Sequence, residues 1–465
     1  TTWQPEGVPI SLNLAWLGDG IVFSTSQRVV QNVLTALAEK KEVLTAAKEY
    51  RAVAANVGDP DAEVEAFLNI ERGMNTLFGV LDKIAQNEAD FPEEIDLQGI
   101  RRAVDALGLS AVKAFGGTST YKGNAAVSKS YILCPAPERR GLVADGSKNL
   151  DLDCLKWVPK KAVTCSATTL NLTAVWDALV DAVRAYDEQA AEGLLAHLGG
   201  VEKQMGFSIR DDLCGAFGSQ MVTWSLPMQG MPGLGGGSLY NGMILVQMRD
   251  HERLLKVLES LKQVAGAMLD FGSNTRDDLT TYYVKLRGDA FADAFAGMPF
   301  NPGDLLEMLT PVFAFQNGYM VLGFSRSDVR RTVRAMTEGL GENEDIRANK
   351  AFADVLKSLD AERLVSLSFS DNRTSFESFY EMAYGFTAMV PDTVPLDMAS
   401  LPDDGSFLGQ HLFPSISYSY SDGNGFSSTQ HGPFGPEMGL VIGAAIGAGA
   451  AAGVATAQEM RPRRR

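Results

Sequence analysis

Four histidines, four cysteines and a few Ser, Lys and Asp spacings are the side chains of this chain with types suited to chemistry. His197, His251, His411 and His431 stand far apart. None sits in H-E-x-x-H or another ligand spacing, so each is expected to be structural or exposed rather than catalytic or metal-binding. Ser119-Thr-Tyr-Lys122 matches S-x-x-K literally. Penicillin-binding chemistry needs that Ser at a helix start with further Ser-Asn and Lys-Thr-Gly elements; here a Gly-Asn turn follows and the companions are missing. Asp151 and Asp153 alternate as in a calcium loop, without the Gly and the later Glu that complete one. Asp211-Asp212 reads as a solvated helix end. The Gly-rich run Met228 to Gly237 lacks the Lys-Ser/Thr of a P-loop and does not fit G-x-G-x-x-G. It is expected to be a long hairpin tip, with Met228, Met231 and Leu234 as candidate contacts to a partner or lipid, since Met adapts to irregular apolar surfaces. No G-x-S-x-G, paired-carboxylate cleft or Cys/His nucleophile setting is present. The chain is therefore expected to be no enzyme, with no catalytic residue, cofactor or metal ligand assigned.

The spacings of Cys134, Cys154, Cys165 and Cys214 contain no C-x-x-C, which argues against a zinc site. Disulfides and free buried thiols both remain open on sequence. With 41 Lys and Arg against 57 Asp and Glu, the net charge is −16, a balance that repels phosphate backbones and excludes nucleic acid as the expected partner. The 465 residues, 45% hydrophobic, suffice for two or three globular domains.

The charge is uneven. Arg461, Arg463, Arg464 and Arg465 fall at the very end, so the body ahead of them carries −20. Before them, Met438 to Ala457 is uncharged, with Thr456 its only polar side chain. At ~1.5 Å per residue a helix of that length spans roughly 30 Å, the thickness of a bilayer core. Only Met438, Leu440, Val441, Ile442, Ile446 and Val454 are strongly apolar. Gly439, Gly443 and Gly447, with Gly449 and Gly453, repeat at a spacing that leaves a bare helix face for packing against another membrane helix. The arginines would then sit on the cytoplasmic side and set the orientation. The expectation is a single-pass membrane protein with an extracytoplasmic, bacterial periplasmic body. A flexible Gly/Ala tail, a small-residue helix buried in protein and a cleaved sorting signal are the alternatives. The start at Thr1 is expected to reflect a removed leader or a fragment.

An internal repeat organises the rest. Gly20-Ile-Val-Phe-Ser-Thr-Ser26 with Val30, Leu34 and Leu37 is echoed by Gly318-Tyr-Met-Val-Leu-Gly-Phe-Ser325 with Val329, Val333 and Met336. In both, a short apolar strand ends at a Ser placed to cap an amphipathic helix. Tyr50 to Val53 resembles Phe352 to Val355, Val64 to Ile70 resembles Val365 to Asp371, and Gly123-Asn124 matches Gly423-Asn424 in a hairpin turn. Pairs in the same order at offsets of 299 to 302 point to duplication. Residues 1–165 are expected to be the latter part of one module, 166–436 a complete second module, and 437–465 the transmembrane helix and basic tail. The repeat is too long for a solenoid.

Within the second module, Val175, Trp176, Leu179, Val180 and Val183 mark a helix, with Thr173 as the expected cap. Strands are expected at Met221 to Leu226, Met243 to Met248, Thr281 to Leu286, Pro311 to Phe315, Tyr319 to Phe324, Leu364 to Phe369 and Ser415 to Tyr420. Asp250 is placed to cap a helix carrying Leu254, Val257, Leu258, Leu261 and Val264. Gln316-Asn317-Gly318 is a hairpin signal. Neighbouring strands joined by short turns imply an α+β fold of mainly antiparallel sheet, with helices expected on one face.

With this duplication, the Gly318–Ser325 type of strand and the C-terminal apolar span, the chain resembles the large bacterial families of duplicated extracytoplasmic proteins known only as domains of unknown function. The resemblance implies a secreted or membrane-anchored, non-enzymatic body and carries over no catalytic residue. The expected function is a structural or accessory subunit of a larger membrane assembly, with protein partners. The alternative is a carrier for an apolar ligand such as lipid held between sheet and helices; a cavity of ~300 Å³ or more would mark it.

Overall fold

The apolar runs at Val312–Gln316 and Tyr319–Gly323 are buried on both sides, and this decides the architecture. The structure is a computed structural model that describes residues 2–3, 12–17, 20–39, 44–87, 96–144, 149–169, 171–227, 242–266, 269–286, 310–386, 402 and 404–435. The chain begins with β1 (Thr2–Trp3), β2 (Leu12–Leu17), β3 (Gly20–Ser24), α1 (Gln27–Glu39), α2 (Lys48–Val57), β4 (Val64–Asn69), α3 (Ile70–Asn87), α4 (Leu97–Ala106), β5 (Ala114–Lys122) and β6 (Ala125–Leu133). It continues with β7 (Thr164–Thr169), α5 (Leu172–Tyr186), α6 (Glu188–Met205), β8 (Phe217–Ser225), β9 (Gly242–Met248), α7 (His251–Ala265), β10 (Leu269–Arg276) and β11 (Leu279–Leu286). The remainder is β12 (Val312–Gln316), β13 (Tyr319–Gly323), α8 (Arg326–Glu338), α9 (Lys350–Leu356), β14 (Leu364–Ser370), α10 (Asn372–Phe386), α11 (Ser406–Gly409), β15 (Ser415–Ser421) and β16 (Gly425–Gly432).

Among the described residues thirteen strands form one sheet in the order β10-β11-β12-β13-β9-β8-β7-β14-β15-β16-β6-β5-β4, and β1, β2 and β3 form a separate small sheet. Every pairing in the large sheet is antiparallel. The β12–β13 turn is tight because Asn317 and Gly318 take φ of 50° and 76°, the left-handed values of a hairpin turn. Asp250 caps α7 by accepting from the Arg253 amide at 3.0 Å, and Ser325 caps α8. Asn171, rather than Thr173, caps α5, accepting from the Ala174 amide at 3.1 Å.

Two features of the expected fold class are corrected. First, helices cover both faces. Val312, Ala314, Tyr319 and Val321 join α8 and α9 in the main core, whereas Phe313 and Met320, the alternate residues, join Leu254 of α7 in a second cluster. Successive strand residues point to opposite faces, so an unbroken apolar run demands cover on each. Second, the expected transmembrane helix is not found in the described structure: among the described residues no helix is long and apolar enough to cross a membrane. Met438 to Ala457, including Gly439, Gly443, Gly447, Gly449 and Gly453, and the orienting Arg461, Arg463, Arg464 and Arg465 lie outside the described residues.

The two stretches of similar sequence have parallel local structure. The Tyr50 ring meets Phe67 edge-on at 5.3 Å, and Phe352 meets Phe369 edge-on at 5.6 Å. In both, a residue of the helix (α2 or α9) packs on one of the following strand (β4 or β14). At the junction of the two stretches, β6 pairs with β16 so that Lys129 faces Thr429. These positions are separated by the same offset as Gly123 and Gly423, so the local two-fold axis of this antiparallel pair passes between matched residues.

Candidate protein-binding surface

The side chains suited to chemistry are dispersed. Ser119 is buried within β5, its hydroxyl 3.2 Å from that of Ser128, while Lys122 ends the strand in solvent. Asp151 accepts from the Asp153 amide at 2.9 Å and so caps the short turn Leu152–Trp157, and Asp153 pairs with Lys156 at 2.5 Å. His197 and His411 are exposed. His251 lies 5.1 Å from the Phe315 ring, and His431 stacks on Tyr418. Burial, helped by Lys122 and Lys129, pushes the His431 pKa down. Among the described residues no three His, Cys, Asp or Glu side chains are grouped to hold a metal. Asp211 pairs with Arg210 at 2.7 Å, and Asp212 accepts from the Ser208 amide at 2.7 Å, so both serve the local turn. The expected contact residues Met228, Met231 and Leu234 lie outside the described residues.

All four cysteines are free thiols. Burial pushes the Cys154 and Cys165 thiols up to about 12. Because the thiolate is the nucleophile, both are expected to stay silent to DTNB at pH 8 in the native protein and to react fully in urea. Fast native reaction at either position would contradict their placement.

Two concave features stand out. A cleft of about 510 Å³ between α3 and α4 is lined by charged and apolar groups together, and its charges are engaged with one another. Arg101 pairs with Asp82 at 2.6 Å while lying over the Phe78 ring, and Arg140 pairs with Asp105. Lys113 bridges Glu71 at 3.1 Å and Glu138 at 2.9 Å, which raises its pKa. Groups held this way brace the α3–α4 layer against β5.

The second feature is apolar. Helices α5 and α6 follow each other without a loop, since Asp187 ends one and caps the next by accepting from the Ala190 amide at 2.8 Å. Trp176, Leu179, Val180 and Val183 recur at helical spacing on α5, as do Ala191, Leu194, Leu195 and Leu198 on α6. Together they line an open groove of about 310 Å³ that contains almost no polar surface. Leu179 is 50% exposed and Leu194 45%. The opposite side of α5 is fixed in place. Ala178 and Ala182 are buried, and Arg102 of α4 donates to the Ala185 and Tyr186 carbonyls at 2.7 and 3.0 Å, satisfying the last turn of α5. The groove therefore faces solvent on a helical hairpin anchored through α5. On α6, Glu188 and Glu192 stand within one turn of Ala191, and both are exposed.

The apolar spacing on α5 was legible in sequence. That on α6 was equally regular, but nothing local shows that two such stripes flank a groove instead of sealing against each other. No known family model matches the chain, and neither a curated protein nor a solved structure does.

Proposed function

We propose that the protein is a non-catalytic interaction subunit that holds a partner protein in the groove between α5 and α6. The observation that carries this reading is the apolar groove itself. Two stripes of i, i+3, i+4, i+7 residues are the receptor half of a helix-in-groove contact. Exposed apolar surface of this kind, rimmed by polar groups, marks interaction sites. Exposed Glu188 and Glu192 beside the α6 stripe and the negative charge of the body select the partner's chemistry: an amphipathic helix with a basic polar face. The groove is open and lies between two helices, not between sheet and helices, which favours a protein ligand over an enclosed lipid.

Zero-length carbodiimide cross-linking on the native assembly tests the proposal, because it joins carboxylates only to amines in direct contact. Cross-links from Glu188 or Glu192 to lysines of one partner are expected. The double substitution Leu179→Asp, Leu194→Asp is expected to abolish them without changing the circular dichroism spectrum or Tm, since both side chains are half exposed. Cross-links unaffected by the substitutions, or an extractable lipid lost with them, would overturn the assignment.

A further inference from the structure

A second surface, built on other elements, is defined by comparing the β2–β3–α1 unit with β12–β13–α8. The bounds of β3 and β13, and of α1 and α8, correspond at a constant offset of 299. The hairpins share one register at that offset: Trp16 faces Ile21 as Phe315 faces Met320, and Leu14 faces Phe23 as Phe313 faces Leu322. Val30 and Val329, matched on the two helices, are both buried.

The surroundings differ. The outer edge of β13 is paired with β9, from Tyr319 opposite Gln247 to Gly323 opposite Met243. Its Phe313–Met320 face is covered by Leu254, Leu255 and Leu258 of α7. Among the described residues β3 has no strand on its outer edge, and three side chains of its matching face, Trp16, Ile21 and Phe23, are exposed. Trp16 is 77% exposed, Phe23 70% and Ile21 49%, whereas their matches Phe315 and Leu322 are partly buried in the second cluster and Met320 is 9% exposed. On the helix side, Leu37 is 52% exposed and its match Met336 is 5%. An unpaired edge beside large exposed apolar side chains is a template for strand addition.

We infer that β3 and the Trp16–Ile21–Phe23 face form a docking site for a partner polypeptide that supplies a strand and a following amphipathic helix of the β9–α7 kind. The strand runs antiparallel to β3 and is apolar on both faces, as Met243–Gln247 is. The helix lays leucines over Trp16, Ile21 and Phe23, as α7 does over the matched residues. The second hairpin shows what such a unit requires when complete, and this specifies the occupant's chemistry. The α5–α6 groove takes no part in the contact.

The test uses the full chain and, as probe, a fluorescein-labelled synthetic peptide with the sequence of residues 242–265. Saturable binding is expected, with slowed amide exchange across residues 20–24 and no effect from a scrambled peptide. The pair Ile21→Ser, Phe23→Ser is expected to weaken binding about a hundredfold, by loss of two buried side chains. Trp16→Ser supplies a second variant with its own expected loss of affinity. These side chains are exposed, so unchanged Tm and circular dichroism accompany the effect. Binding that the variants do not weaken, or a peptide that leaves residues 20–24 exchanging freely, would overturn the inference. So would protection of those amides in the chain without peptide, whether through its own residues or through a second copy detected by sedimentation.

Discussion

Replacing Arg139 by Ala is expected to lower unfolding stability by about 3 kcal/mol or more, the larger effect of any single polar substitution described for this molecule. Arg139 follows β6 and reaches across to the β15–β16 hairpin, nearly 300 residues away in sequence. Its Nε donates to the Cys134 carbonyl at 2.7 Å, and one Nη donates to the Ser421 hydroxyl at 3.0 Å. The other Nη donates to the Asp422 and Gly425 carbonyls, and the guanidinium lies 4.4 Å from the centre of the Phe426 ring. The side chain is almost wholly buried, so truncation strands the Cys134 and Asp422 carbonyls, at about 1–3 kcal/mol for each left unsatisfied, while the Gly425 carbonyl keeps the Asp422 amide. Arg139→Lys is expected to recover little, because an ammonium cannot reproduce the planar fork that serves four acceptors. Urea denaturation of the three proteins reads this directly. A shift below about 1 kcal/mol for the Ala variant would show that β6 and β16 hold without the guanidinium.

A second large effect is expected in the main core. Phe369 is buried on β14 and meets the Phe352 ring edge-on. Phe369→Ala removes a ring from a packed interior and is expected to cost about 3–5 kcal/mol. In the first stretch, Phe67→Ala removes a ring that meets Tyr50 in the same edge-on geometry but from a partly exposed position. It is expected to cost less than half as much, because the site is open to water and part of the transfer energy was never gained. Equal losses in the two variants would mean that Phe67 is covered as fully as Phe369.

The parts of the fold legible in sequence were local. Asn317-Gly318, Asp250 and Ser325 act within a few residues of themselves, so turn and cap chemistry placed them correctly. β10 was missed because its second half, Ser273 to Arg276, is polar and exposed and has no hydrophobic alternation to detect. The cap of α5 was placed two residues late, since both Asn171 and Thr173 are competent caps and only the backbone decides between them. Helices on both faces were foreshadowed by the unbroken apolar runs of β12 and β13, which period-two reasoning treats as ambiguous. The joining of β6 to β16 had no local signal: it pairs residues about 300 positions apart, and neither strand carries a marker of its neighbour. The groove was half legible for the same reason. Trp176, Leu179, Val180 and Val183 announced an apolar stripe, but whether a stripe is sealed or left open is a tertiary fact.

The interaction reading stands or falls on whether the α5–α6 groove is occupied in the working assembly. Amide hydrogen exchange across residues 172–205, measured on the purified chain and on the native complex, tests this most directly. The predicted result is at least tenfold slower exchange in the complex along both helices, with the β14–β15 pair unchanged. Exchange across 172–205 that is identical in the two samples would contradict it.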